Sequence, residues 1–282
     1  MVTLPAIAIL GAGSMGGAIL SGLLQPSVTV EGGIRVTNRT EAKASALRAA
    51  TPSHASMASY ATETDAHANL AAVTGARVVL LAVKPNMIPD LLREISGALE
   101  ADAIVISVAA GVTTATIESL LPDSVSVLRA MPNTPAIVGR AVTGLSAGSR
   151  SSEDDLAVAT ALFETVGSVL TVPEGMIDAL SAVSGSGPAY VYFLIEQFTR
   201  AAVGLGFTPD QAALLVEATF LGSSELLASS DQAPAQLRRQ VTSPKGTTER
   251  AIAVLEDADL ASVFTRATAA AIARAKELAA GA

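Results

Sequence analysis

From the N-terminus to Thr171, short apolar runs alternate with segments of helical periodicity. Strands are predicted at Ala6–Leu10, Ile34–Thr37, Arg77–Val83, Ala103–Val108 and Ser124–Arg129, followed by Thr143–Ser146 and Ser168–Thr171. Arg77–Val83 and Ala103–Val108 are nearly continuous apolar runs, the pattern of strands buried on both faces of a parallel sheet. Asn86–Leu99 and Glu153–Thr165 read as helices. The alternation predicts an α/β fold, a doubly wound sheet of Rossmann type.

The pattern changes near Pro173. Beyond it lie helix-length periodic segments and no convincing strand. Val191, Leu194, Ile195, Phe198, Ala202 and Leu205 fall on one helical stripe. Thr208-Pro-Asp-Gln211 is a start signal, with Thr at the N-cap, Pro in the first turn and Gln at N3. Two further helices are predicted at Thr247–Glu256 and Leu260–Ala279. The chain therefore divides into residues 1–172, a nucleotide-binding sheet domain, and 173–282, an all-helical domain. Its small, Ala-rich helices bury little area each, so this domain is expected to complete its core against another copy of the chain.

Composition narrows the chemistry. The 282 residues suffice for two domains with a substantial core, and half of them are apolar. No apolar stretch is long enough to suggest a membrane span. MVTLP runs straight into the first strand, so no cleavable signal is expected. Cysteine is absent, which excludes disulfides, zinc–thiolate sites and thiol nucleophiles, and a cytoplasmic location is the plain inference. No metal site is expected. A net charge of −8 speaks against nucleic-acid binding, which needs a basic face. Both histidines, His54 and His67, lie early in the chain, leaving the second half without an imidazole for acid–base work.

Gly11-Ala12-Gly13-Ser14-Met15-Gly16 follows a predicted strand and opens a predicted helix. In that setting Gly11 makes the tight turn, Gly13 lets the backbone approach a pyrophosphate, and Gly16 allows close helix–strand packing. The helix start supplies unpaired N–H groups and a partial positive charge. Cofactor choice is read at the end of the second strand, where an NAD enzyme carries Asp or Glu. Here the chain has Asn38-Arg39-Thr40. Asn38 and Thr40 can hydrogen-bond a 2′-phosphate and Arg39 can pair with it, which favours NADPH over NADH. Two more loops, Ala82-Val83-Lys84-Pro85 and Val108-Ala109-Ala110-Gly111, fall at carboxyl ends of strands, where such sheets bind ligands. Lys84 could contact ribose or simply cap its strand. Asn69 could reach the adenosine side.

Ser184-Gly-Ser-Gly-Pro-Ala-Tyr190 and Ser243-Pro-Lys-Gly-Thr-Thr248 each open a predicted helix, and the N–H groups there suit a small carboxylate. Taken with GAGSMG, AVKP, SVAAGV and RAMPNTP (Arg129–Pro135), in this order and spacing, they make almost the whole chain resemble pyrroline-5-carboxylate reductase. The resemblance implies a Rossmann domain followed by a helical domain that interweaves into a homodimer, with dimers assembling further, up to a decamer. It implies NAD(P)H-dependent reduction of 1-pyrroline-5-carboxylate to L-proline. By motif, it places Leu10, Gly11, Ala12, Gly13, Ser14 and Met15, with Asn38, Asn69, Ala82, Val83, Lys84, Pro85, Val108, Ala109 and Ala110, against the cofactor. It also puts Glu174 near the nicotinamide. The substrate carboxylate would rest on the backbone of Gly246, Thr247 and Thr248, and the Thr248 hydroxyl would lie near the imine nitrogen. One position departs from the family, which usually has glycine where this chain has Lys245. A positive φ there would strain the turn; without one, the lysine simply adds positive charge near an anionic substrate.

A cyclic imine accepts hydride readily, more so when protonated, so the reaction needs positioning and a proton more than a strong base. That suits a helical domain with neither histidine nor cysteine. A related two-domain 3-hydroxyacid dehydrogenase generally uses a lysine on the first long helix of its second domain, and Pro188–Phe207 contains none. Another imine reductase is a further alternative. A non-catalytic NADP(H)-sensing protein would need the cofactor loops but not the late Ser-Pro turn.

Overall fold

The computed structural model describes residues 1–279, which divide into two compact units. The first is residues 1–186, joined by the last helical turns from Ile272; the second is residues 187–271. Among the described residues ten strands form, all in the first unit: β1 Val2–Leu4, β2 Ile7–Leu10, β3 Val28–Val30, β4 Ile34–Asn38, β5 Met57–Ala61, β6 Val78–Leu81, β7 Ile104–Ser107, β8 Ser126–Met131, β9 Ala141–Ala147 and β10 Gly167–Thr171. Eight of them make one sheet in the order β5-β4-β2-β6-β7-β8-β9-β10. From β5 to β8 the strands are parallel, β9 runs antiparallel to β8, and β10 is parallel to β9.

Alternate residues along the strands feed two layers. Ile7, Ile9, Val36, Leu80, Ile106 and Leu128 pack with Ile19 and Phe163 of the helices Ser14–Leu23 and Glu153–Glu164. Ala8, Leu10, Val79, Leu81, Val105 and Val127 pack with Val73, Leu92 and Ile117 on the other face. This two-sided burial is what the unbroken apolar runs signalled. Every predicted strand forms. The pattern did not reveal β1, β3 or β5: the first and second are three-residue strands paired only with each other, and β5, Met-Ala-Ser-Tyr-Ala, is an edge strand without a branched side chain.

The helix expected over Asn86–Leu99 is shorter. A 3₁₀ turn at Pro85–Met87 precedes an α-helix at Ile88–Ile95, and a second 3₁₀ turn follows at Ser96–Ala98. Pro89 lacks an N–H and is tolerated only in a first turn, which fixes where this helix begins.

A boundary after residue 172 would put residues 173–186 with the helical domain, whereas they pack on the sheet. Leu180 fills the space left by Gly144 of β9, Ile177 is fully buried, and Arg129 of β8 pairs with Glu174 at 3.5 Å and Asp178 at 3.4 Å. The chain then passes through a π-helical turn, Ser181–Gly185. Asn133 ties this turn to the sheet: its Nδ2 donates to the Ser184 carbonyl at 2.9 Å, and its Oδ1 accepts from Val142 N–H at 2.9 Å. The segments RAMPNTP and SGSGPAY, far apart in sequence, are thus bonded to each other.

The second unit comprises helices Gly187–Gly204, Pro209–Ala228, Pro234–Gln240, Thr247–Asp257 and the body of Leu260–Ala279. Thr208 and Gln211 form the expected reciprocal cap. The first two helices meet through Ile195, Ala202, Ala212, Val216 and Phe220. Most of the predicted stripe finds no cover: Phe198 is 52% exposed and Leu205 80%. Phe193 and Leu214 are also open, at 59% and 70%.

Candidate functional site

The sheet register brings Leu10 between Thr37 and Leu81, so the loops after β2, β4 and β6 emerge side by side. The chain runs from β2 to β4 on one side and returns to β6 on the other. The Gly11–Gly13 turn therefore sits where the strand order reverses, the place where doubly wound sheets bind ligands. A cleft of about 670 Å³ opens there, lined by Gly11, Ala12 and Gly13, by Thr37–Thr40, by Asn69 and by Ala82, Val83 and Lys84.

Each glycine of the turn has its own role in the geometry. Gly11 has φ 98°, and a Cβ on it would lie 2.9 Å from the Ala82 carbonyl oxygen. On Gly16 a Cβ would lie 2.3 Å from the Gly11 carbonyl oxygen, so the helix can approach the strand only because that atom is missing. On Gly13 it would meet nothing within 4 Å. That side opens on the cleft. Helix Ser14–Leu23 has no side-chain cap and no acid in its first turn, and no partner takes the N–H of Ser14 or Met15 among the described residues. Free donors, positive helix end and open backbone together fit a pyrophosphate.

Two cations line the cleft just past β4. They are Arg39, just before the cap of helix Glu41–Ala50, and Lys43, in its first turn, and neither side chain has a partner among the described residues. Lys43 was not singled out from the sequence, although a second cation four residues after Arg39 is a readable signal. Thr62, just past β5, also lines the cleft; it could not be placed without that strand. Nearby, Glu63 Oε1 accepts the N–H of Glu41 at 2.6 Å. The Glu63 N–H in turn donates to the Arg39 carbonyl at 3.1 Å, a neighbourhood hidden from the sequence. Asn38 is buried, with Nδ2 on Ser59 Oγ at 3.3 Å. Asn69 also lines the cleft, its Nδ2 on both Glu94 oxygens at 3.1 and 3.2 Å.

Leu10, Ser14, Met15, Pro85, Val108, Ala109, Ala110 and Glu174 are not among the residues that line this cleft. The Leu10 side chain is fully buried in the core, and its carbonyl accepts from Ala82 N–H. Ser14 and Met15 have unpaired backbone N–H groups among the described residues. Pro85 starts the 3₁₀ turn beside the cleft. Val108 and Ala109 face the core, and the Ala109 N–H donates to Ser107 Oγ at 3.2 Å, which leaves Ala110 as the exposed residue of that loop. Glu174 is engaged by Thr114, accepting its N–H at 2.8 Å and its hydroxyl at 2.7 Å, besides the pair with Arg129. It braces the start of helix Thr114–Glu118, next to the 108–111 loop, and does not line the cleft.

In the second unit Ser243-Pro-Lys-Gly246 forms a tight turn, with Gly246 N–H donating to the Ser243 carbonyl at 2.9 Å. That donor is therefore already engaged, which corrects the expectation that Gly246 would bind the substrate through its N–H. Its lack of a side chain is still needed, since a Cβ would lie 2.9 Å from Ser243 O. The Thr247 and Thr248 N–H groups have no partner among the described residues, and no side chain caps the helix they begin. Lys245 has φ 61°. Of the two readings open at this position, the strained turn is the one that forms.

Two family models match. Residues 174–278 match pyrroline-5-carboxylate reductase dimerisation, and residues 6–111 match NADP oxidoreductase coenzyme F420-dependent. The pyrroline-5-carboxylate reductase of Corynebacterium melassecola is 37% identical over 275 residues, covering 96% of this chain and 98% of its own. The chain belongs to the pyrroline-5-carboxylate reductase family. The enzyme of that name from Synechocystis is 41% identical over 210 residues, covering 74% of this chain and 78% of its own. The solved pyrroline-5-carboxylate reductase of Coxiella burnetii superposes with a TM-score of 0.87 at 38% identity, covering 96% of this chain and 97% of its own. Membership embraces both units.

Proposed function

We propose that this chain reduces 1-pyrroline-5-carboxylate to L-proline, with NADPH as the preferred donor. The observation that carries the reading is the free pair of N–H groups at Thr247 and Thr248, in a family member whose other unit holds an uncapped helix start beside an open Gly13. Bound in the cleft, NAD(P)H supplies a hydride for the imine carbon.

Division of labour follows the two motifs. The first unit holds the cofactor: the Ser14 and Met15 N–H groups take the pyrophosphate, and Arg39 with Lys43 takes the 2′-phosphate. The second unit holds the substrate and a second copy of the chain. The Thr247 and Thr248 N–H groups take the substrate carboxylate, and the Thr248 hydroxyl orients the ring nitrogen. A protonated imine needs no strong base, in keeping with a second unit that has no histidine. A 3-hydroxyacid must lose a hydroxyl proton, and helix Gly187–Gly204 offers no lysine to take it. Steady-state NADPH oxidation with pyrroline-5-carboxylate, run beside a 3-hydroxyacid, tests the assignment. Turnover of the hydroxyacid alone would overturn it.

Arg39→Ala is expected to cut kcat/KM for NADPH far more than for NADH. Losing one charge-assisted phosphate contact costs about 1.5–3 kcal/mol, roughly 10- to 150-fold. Equal losses with both cofactors would remove Arg39 from the phosphate site.

Self-association follows from the uncovered apolar helices and the dimerisation match over 174–278. The active species is expected to be a dimer or a higher assembly of dimers, a decamer included, in the cytoplasm. No helix among the described residues is long and apolar enough to cross a membrane. Light scattering that finds a stable, active monomer at working concentration would end this proposal.

A further inference from the structure

The turn before helix Thr247–Asp257 holds one backbone conformation that its sequence resists. Pro244 pre-sets its own φ near −65°, Gly246 N–H closes on the Ser243 carbonyl, and Lys245 lies between them at φ 61°. Proline second and a positive φ third mark a type II turn, in which glycine is the natural third residue. A lysine is disfavoured there because its Cβ crowds the following carbonyl oxygen. Its long side chain has no polar atom close enough to offset that locally, as Asn or Asp would.

Glu249 supplies the missing restraint. Its Oε2 accepts the Lys245 N–H at 2.8 Å, and its charge sits in the first helical turn, where the helix dipole favours it. We infer that Glu249 is a positioning residue for the substrate: its carboxylate latches the Lys245 peptide in the left-handed conformation and so keeps the Thr247 and Thr248 N–H groups presented together. The inference rests on the reading of residues 243–248 as the substrate turn. Without the latch, the Pro244–Lys245 peptide rotates and Lys245 relaxes toward negative φ, the geometry of a type I turn, and the chain enters the helix from a different direction. The binding-competent turn becomes a fraction of the population, and apparent affinity falls by that fraction.

The coupling gives the test. Glu249→Ala is expected to raise KM for pyrroline-5-carboxylate roughly 5- to 30-fold, the span set by the left-handed penalty, with kcat and NADPH affinity little changed. Glu249→Gln, whose amide oxygen still accepts the Lys245 N–H, recovers most of that loss. The double variant Lys245→Gly with Glu249→Ala recovers it too, because glycine adopts this φ unaided. A KM within twofold of the parent in Glu249→Ala overturns the latch, and so does a double variant as impaired as the single one. A general structural defect would show as a lowered Tm and weaker NADPH binding that Lys245→Gly does not repair, and that also overturns it. Gly246→Val separates the two layers of argument, since its Cβ must collide with Ser243 O. If Gly246→Val leaves KM unchanged, the substrate turn itself is misassigned. If it raises KM while Glu249→Ala does not, only the latch fails.

Discussion

Gly13→Ala and Gly16→Ala are both expected to lose NADPH, and a melting curve should tell them apart. In Gly16→Ala the new methyl lies 2.3 Å from the Gly11 carbonyl oxygen and 3.1 Å from the Ala82 Cβ. Backbone cannot swing aside as the end of a long side chain can, so helix Ser14–Leu23 must move off β2. Overpacking of this kind costs about 1–3 kcal/mol and lowers Tm. The displaced helix start also takes its N–H groups from the phosphate. In Gly13→Ala the methyl meets nothing within 4 Å, so the apo fold is untouched and Tm holds. The methyl projects instead where the pyrophosphate would approach. Fluorescence titration with NADPH should show a loss of roughly 10-fold or more in each, about what 1.4 kcal/mol removes. Normal NADPH affinity in Gly13→Ala would show that this cleft is not the pyrophosphate site.

The contrast between those two glycines also marks how far the sequence could be read. GAGSMG between a strand and a helix located the turn, and each glycine's role followed from the general geometry of such turns. Strands β6 and β7 were legible because burial on both faces leaves no polar interruption. Strand β5 was not, because an edge strand of small and polar residues carries no such signature. Its loss hid Thr62 and Glu63, the residues that flank Arg39 in space. Glu174 was legible as an acid of interest, but its partner Thr114 is a long-range neighbour, and only the fold reveals that the carboxylate is already engaged. The same holds for Asn133, whose bonds to Ser184 and Val142 depend on the closing of the sheet. At Lys245 the alternatives were visible in advance and the deciding quantity, φ, was not.

Thr248→Ala is expected to lower kcat more than it raises KM. The variant keeps the backbone N–H groups of Thr247 and Thr248, so the substrate carboxylate is still held. What goes is the hydroxyl. In this structure it caps no helix and has no partner among the described residues, so its removal leaves the fold without a broken bond to repair. If it bonds the ring nitrogen most strongly as that nitrogen carries its positive charge, the loss falls on the transition state. A hydrogen bond to a charged group contributes about 1.5–3 kcal/mol, which predicts a drop of roughly 10- to 150-fold in kcat. A general acid would be worth about 10²–10⁴-fold, so a loss well beyond roughly 150-fold would promote Thr248 from orienting group to proton donor. Thr248→Ser, which keeps the hydroxyl, should recover most of the rate. A Thr248→Ala enzyme with unchanged kcat would leave only the backbone of this turn in the chemistry, and the substrate's nitrogen would have to be recognised elsewhere.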